Sequence, residues 1–211
     1  MNPGVAIMRG ISKAFLVSAL LLLPLAGCGS SKPTHLYVLS ATAERTRPPS
    51  PTGLALGIGP ITLPKYIDRP QVVSRIAANS LDQSEFEQWG GDLNDNITRV
   101  LASNLGNLLA TDRVSLYPWK GAAPIDFQVS MDVTRFEQDA DGNVVLDAFW
   151  SVTTPGKEKV LTMQRSTFRE SAPDVAGRGR EAYDAMVAAM NADLLALSRD
   201  IAAAISRLGK P

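Results

Sequence analysis

Apolar side chains fall along this chain in three rhythms, and each predicts a different element. Ala14 to Leu23 is a nearly unbroken apolar run. Two longer stretches repeat at three- and four-residue spacing, the mark of a helix with one buried face. The first runs from Asp92 to Ala110, with Leu93, Ile97, Val100, Leu101, Leu105, Leu108 and Leu109 on one side. Asp92 stands where a side-chain oxygen can accept from the first free amides. The second runs from Arg180 to Leu208, with Tyr183, Met186, Val187, Met190, Leu194, Leu197, Ile201, Ala204, Ile205 and Leu208 as its stripe and Gly209 at its end. At ~1.5 Å per residue it is ~43 Å long. The same spacing would suit a coiled coil, but no charged pairs flank the stripe, and packing across a sheet accounts for it better.

The third rhythm is alternation. Short strands are predicted at Leu36–Leu39, Leu54–Leu63, Gln71–Ala77, Ser80–Phe86, Val114–Trp119, Phe127–Glu137, Val144–Thr153 and Lys159–Arg169. Asn79, Asp141-Gly142 and Thr154-Pro155-Gly156 supply turns between consecutive strands. Arg45 to Pro51 is a Pro-rich loop, because proline cannot feed a ladder and holds its neighbours extended. Strands, a helix, more strands and a last helix predict an α+β fold: a mixed or antiparallel sheet with two long helices packed on one face.

The first apolar run belongs to no such element. Ten residues make ~15 Å of helix, half of a ~30 Å hydrocarbon core, so with Arg9 and Lys13 ahead of it the run reads as a secretory signal. It ends in Leu25-Ala26-Gly27-Cys28, which looks like a bacterial lipobox, where the Cys is acylated and becomes the new amino terminus. The expected organisation is a signal peptide over 1–27, a lipidated tether over 28–35, and a single domain over 36–211. Palmitate-length chains of ~14–16 carbons, at ~0.8 kcal/mol per buried methylene, make such an anchor effectively permanent. Gly29 rather than Asp after the Cys favours the outer membrane, by analogy with enterobacterial sorting.

Composition narrows the chemistry. The 211 residues hold 21 Lys+Arg against 21 Asp+Glu, one His and one Cys. Removing Arg9 and Lys13 with the signal leaves 19 against 21, a net charge of −2. A balanced chain is not a general nucleic-acid binder. One Cys excludes an intrachain disulfide and a thiolate zinc cluster, and one His makes an acid–base triad improbable. That one His, His35, reads as a solvated side chain of the tether.

Other candidate motifs fail on their spacing. Gly57-Ile58-Gly59 has Pro60 where a dinucleotide-binding helix would begin and Thr62 in place of the third glycine. Glu137, Asp139, Asp141 and Gly142 mimic the start of a calcium loop, but position twelve is Ala148 and the flanks are strands. Asp82, Glu85 and Glu87 read as a solvated strand face rather than paired glycosidase carboxylates. Trp89, Trp119 and Trp150 fit core anchors as readily as ligand contacts. No enzyme, metal site or cofactor is expected beyond the covalent lipid on Cys28.

The stretch Leu63 to Arg75 (LPKYIDRPQVVSR) is the most specific in the chain, and it resembles the signature of the PqiC/YmbA family of ABC-type transport auxiliary lipoproteins. The resemblance continues through Trp89, Arg99-Val100-Leu101, Asn104-Leu105, Tyr117-Pro118-Trp119, Asp126 to Phe136, Asp141-Gly142, Ala148-Phe149-Trp150 and Leu197 to Ile201. Gln88-Trp89-Gly90-Gly91 departs from it. It implies a fold like the TolB amino-terminal domain. It also implies a lipoprotein of the periplasmic face of the outer membrane, serving lipid transport and membrane integrity. Its implied partners are a periplasm-spanning protein with MCE (mammalian cell entry) domains and the inner-membrane transporter behind it. A homo-oligomer would match the oligomeric MCE assembly by avidity.

At the signature itself, Leu63 to Arg75 reads as a strand, a proline-bounded corner and a second strand. Asp68 is placed to bond its own backbone amides and hold the turn. Lys65, Tyr66, Asp68 and Arg69 are expected to project there, with Trp89 nearby, either as a purely structural corner or as a docking surface. Two other functions remain open. A periplasmic lipid carrier or chaperone would need a cavity lined by Met186 and Met190. The other is a TolB-like lipoprotein activating a cell-wall synthase.

Overall fold

The computed structural model describes residues 32–50, 53–119, 124–157, 159–172 and 179–209. Cys28 and the first tether residues lie outside the described residues. Thr34–Pro211 forms one compact unit. Its elements are β1 (His35–Tyr37), β2 (Leu56–Thr62), β3 (Gln71–Ala77), β4 (Ser80–Trp89), α1 (Leu93–Leu108), β5 (Val114–Leu116), β6 (Phe127–Gln138), β7 (Asn143–Thr153), a 3-10 turn (Pro155–Lys157), β8 (Val160–Ser171) and α2 (Arg180–Leu208). No described helix is long and apolar enough to cross a membrane.

The fold is α+β with a mixed eight-stranded sheet. Local sequence accounts for the three hairpin pairings, β3–β4, β6–β7 and β7–β8, which are antiparallel. The parallel pairings β1–β4, β2–β5, β2–β6 and β3–β6 join distant segments. The long strand β6 organises them. Along one side it carries β7, and along the other it carries β2 from Phe127 to Asp132 and then β3 at Gln138. The sheet therefore forks beside the middle of β6, and the Leu63–Pro70 corner crosses the fork.

The helices lie side by side on one face. Asp92 caps α1 as expected, its Oδ1 accepting from the Asp95 amide at 3.0 Å. Gly209, at φ +70°, ends α2. Between helices and sheet, Leu56, Ile58, Leu101, Leu105, Phe127, Phe136, Trp150, Met186 and Leu194 form one core. The Trp150 indole donates to Ser166 Oγ at 3.0 Å, and that hydroxyl donates to Asp200 of α2 at 3.1 Å, so the buried indole nitrogen is satisfied.

The segment between β1 and the Pro-rich loop straps the two helices together. Ser40 N donates to Asn191 of α2, while Thr42 N and Ala43 N both donate to Asn104 of α1. Asn104 is fully buried and donates in turn to Ser198 of α2 at 3.3 Å. His35 also departs from the sequence expectation. It belongs to β1, and its Nδ1 lies 2.9 Å from the Glu87 carboxylate, which also accepts from Tyr37 OH at 2.7 Å. Glu87 is thus a buried anchor for β1 rather than part of a solvated acidic face.

Strand β5 stops at Leu116, three residues short of expectation, as the chain turns toward Gly59 of β2. There φ is +116°, and a Cβ would lie 2.7 Å from Tyr117 Cβ. Gly59→Ala combines a disfavoured backbone with a clash and is expected to lower stability by ~1–3 kcal/mol. Urea titration measures this, and an unchanged midpoint would contradict it.

Candidate functional site: the corner and its cleft

Pro64 ends the β2 ladder, and its carbonyl closes the corner by accepting from the amides of Ile67 (3.0 Å) and Asp68 (3.2 Å). Arg69 N donates to the Ile67 carbonyl at 2.9 Å. The main chain makes this turn by itself, and the Asp68 carboxylate takes no part in these bonds, contrary to the sequence expectation. Ile67, 2% exposed, pins the corner to the core.

Lys65, Asp68 and Arg69 are exposed. The Arg69 guanidinium donates to Gln83 of β4, which holds it along the sheet. Tyr66 turns inward instead. Its hydroxyl donates to Glu137 Oε2 at 2.9 Å and approaches the Thr134 carbonyl at 3.3 Å. These partners follow from the fork, since residues 133–137 of β6 lie opposite the corner. Burial, reinforced by the adjacent Glu137 charge, pushes the Tyr66 phenol up to about 12.

Glu137 is the centre behind the corner. Fully buried, it receives Arg75 Nε at 2.9 Å and Arg135 Nε at 3.0 Å on Oε1. Its Oε2 receives Tyr66 OH and the Phe136 amide. The Arg75 guanidinium also sits 5.8 Å from the centre of the Tyr66 ring. One carboxylate thus ties the corner to β3 and β6. The sequence raised Glu137 only as the first position of a calcium loop. Of the other acids of that motif, Asp139 is already engaged, for it accepts from the Asp141 and Asn143 amides and pairs with Arg169. Among the described residues no group of three or more His, Cys, Asp and Glu could hold a metal.

Trp89 is 5% exposed and packs in the core, the anchor role that the sequence left open beside a contact role. Its amide donates to the Pro70 carbonyl at 2.7 Å, which brings the loop after β4 alongside the corner. Asp68, Arg69, Pro70, Trp89, Gly91, Asp92 and Leu93 enclose a cleft of about 340 Å³. Trp89 forms its floor and the charged corner its rim. Gly91, at φ +140°, turns the chain into α1 without adding a side chain to the wall. A cleft of this size can take a protruding side chain of a partner.

The described structure places Met186 and Met190, each 1% exposed, in the packed core. A carrier of acyl chains would need a cavity there.

The family model described as an ABC-type transport auxiliary lipoprotein component matches residues 37–202, which include the whole corner and cleft. A crystal structure of an uncharacterised protein is similar with a TM-score of 0.62 at 18% identity, covering 81% of this chain and 97% of its own. A Xanthomonas campestris protein is similar with a TM-score of 0.61 at 15% identity, covering 79% and 92%. At these identities the likeness is one of fold. No curated protein matches the chain.

Proposed function

Since the chain belongs to the ABC-type transport auxiliary lipoprotein family, we propose that it is the outer-membrane-anchored docking subunit of an MCE-type intermembrane lipid transport system. In this reading acylated Cys28 holds the domain at the periplasmic face, and the body is a non-catalytic receptor for the periplasm-spanning MCE protein. The observation that carries it is the charged cleft over Trp89. A rigid, braced corner presents Lys65, Asp68 and Arg69 beside a concave floor, and loops held on a rigid scaffold are where protein contacts are commonly made. Mixed charge on the rim favours a partner of complementary charge and fixes its register. Several copies arranged around an oligomeric partner would strengthen such a contact by avidity.

Photo-crosslinkers at Lys65 and Arg69, introduced in cells, test this reading. An MCE-domain protein is the expected product, and Arg69→Glu, which reverses a rim charge, is expected to weaken capture from Lys65. Capture of a cell-wall synthase or of free lipid in its place would overturn the proposal.

A further inference from the structure

The chain enters the sheet at β1 with two large apolar side chains facing solvent. Leu36 is 66% exposed and Val38 54% exposed. Their direction follows from strand alternation. Tyr37 between them turns to the helix face, where its ring lies 6.0 Å from Tyr183 of α2, so Leu36 and Val38 point to the opposite face. Beneath them is Gly90, whose amide donates to the Tyr37 carbonyl at 2.7 Å. A Cβ on Gly90 would lie 3.0 Å from Val38 Cγ1 and 3.8 Å from Leu36 Cβ. The glycine gives Val38 room to lie close over its backbone, while the outer surface of both side chains stays open to solvent.

The position of this pair along the chain decides what can cover it. Cys28 precedes His35 by seven peptide steps, which reach no more than ~25 Å when fully extended. A contact within such a short tether is intramolecular, and the high effective concentration lets even a small apolar surface be occupied. We propose that Leu36 and Val38 form a bilayer-seating patch that enters the headgroup region beside the acyl anchor and sets the tilt of the domain on the membrane. The inference goes beyond docking of a partner and rests on acylation of Cys28. Seating would fix β1 against the membrane. Because Trp89 and Gly90 join β1 to the corner through the Pro70 and Tyr37 carbonyls, it would also fix the direction in which the cleft opens.

The test uses the mature lipidated protein extracted from membranes and placed in vesicles of phosphatidylethanolamine and phosphatidylglycerol. Cys28 is the chain's one Cys, so once it is acylated Leu36→Cys carries the only free thiol and takes a nitroxide label. Leu81→Cys, seven residues along β4 from the Leu36 partner Gln88, is the control, ~23 Å away along the strand. The label at 36 is expected to be relaxed by oxygen and to lose relaxation by an aqueous nickel chelate, with the reverse order at 81. In Val38→Asp, with circular dichroism confirming the fold, position 36 should regain nickel relaxation. Strong nickel relaxation at 36 in the parent would overturn the proposal. So would weak relaxation by both agents, which signals cover by protein. Intact mass separates the premises: an unacylated Cys28 removes the anchor itself, whereas an acylated chain with a water-exposed position 36 removes only the seating.

Discussion

Glu137→Ala is expected to lower the stability of the folded domain by ~3–5 kcal/mol, because it strands two arginines and a phenol that converge on one buried carboxylate. For a domain of this size that is a fall of roughly 10 °C in Tm, taking ~2–4 °C per kcal/mol. The comparison that isolates the cause is Tyr66→Phe, which removes one hydrogen bond and should cost only ~0.5–1.5 kcal/mol. Glu137→Gln keeps the shape but leaves both guanidinium groups without a counter-charge, so it should resemble the alanine variant. Denaturant unfolding of the three variants measures this directly. A Glu137→Ala unfolding free energy within about 1 kcal/mol of the parent's would mean that the arginines find solvent without penalty and that the cluster is not a brace. In the proposed function the brace also matters for docking. A loosened corner should weaken crosslinking from Lys65 even where the protein remains folded.

Asp193→Asn is expected to do the opposite and stabilise the protein, by an amount that grows as pH rises from about 4 to about 7. Asp193 lies on the buried face of α2, 2% exposed, with Oδ2 left without a hydrogen-bond partner. Burial, together with the nearby Glu170 charge, pushes its carboxyl up to about 7, partly offset by the Leu146 amide. In the unfolded chain it would titrate near 3.8. Between those values the unfolded state has released a proton that the folded state keeps. Stability therefore falls as pH rises through this window, by at most ~1.4 kcal/mol per pH unit from this group, and the penalty is complete above about 7. Asparagine cannot ionise and escapes it. The variant should melt several degrees above the parent at pH 8 and with it at about pH 4. An advantage of equal size at both pH values would show that packing, not ionisation, separates them.

Both residues show where sequence reading stops. Asp193 breaks the apolar rhythm of α2, and periodicity alone places it without revealing that its carboxylate faces the sheet and Glu170. Glu137 belongs to an acidic series whose spacing suggested a cation loop. Only the fork at β6 shows it to be the counter-charge for Arg75 and Arg135. The sequence places Tyr66 in a corner, yet its direction depends on a strand that begins some sixty residues later. Trp89 was associated with the corner through the family resemblance. Its side chain is buried in the core, and the bond from its amide to the Pro70 carbonyl sets it beside the corner.

What the amino-acid order determined alone is the local part of this protein. The bounds of α2, the Asp92 cap, the three hairpins and the position of the Leu63–Pro70 corner all depend on residues within a few places of one another, and capping, turn chemistry and periodicity act at that range. Tertiary structure decided the parallel pairings, the strap over the helices, the attachment of His35 to Glu87, and the cleft between two loops twenty residues apart. A hydrophobic pattern states that a side chain is buried but not against what. Partners across long separations are selected by the register of β6 against β2, β3 and β7, which becomes defined only when the whole sheet is assembled.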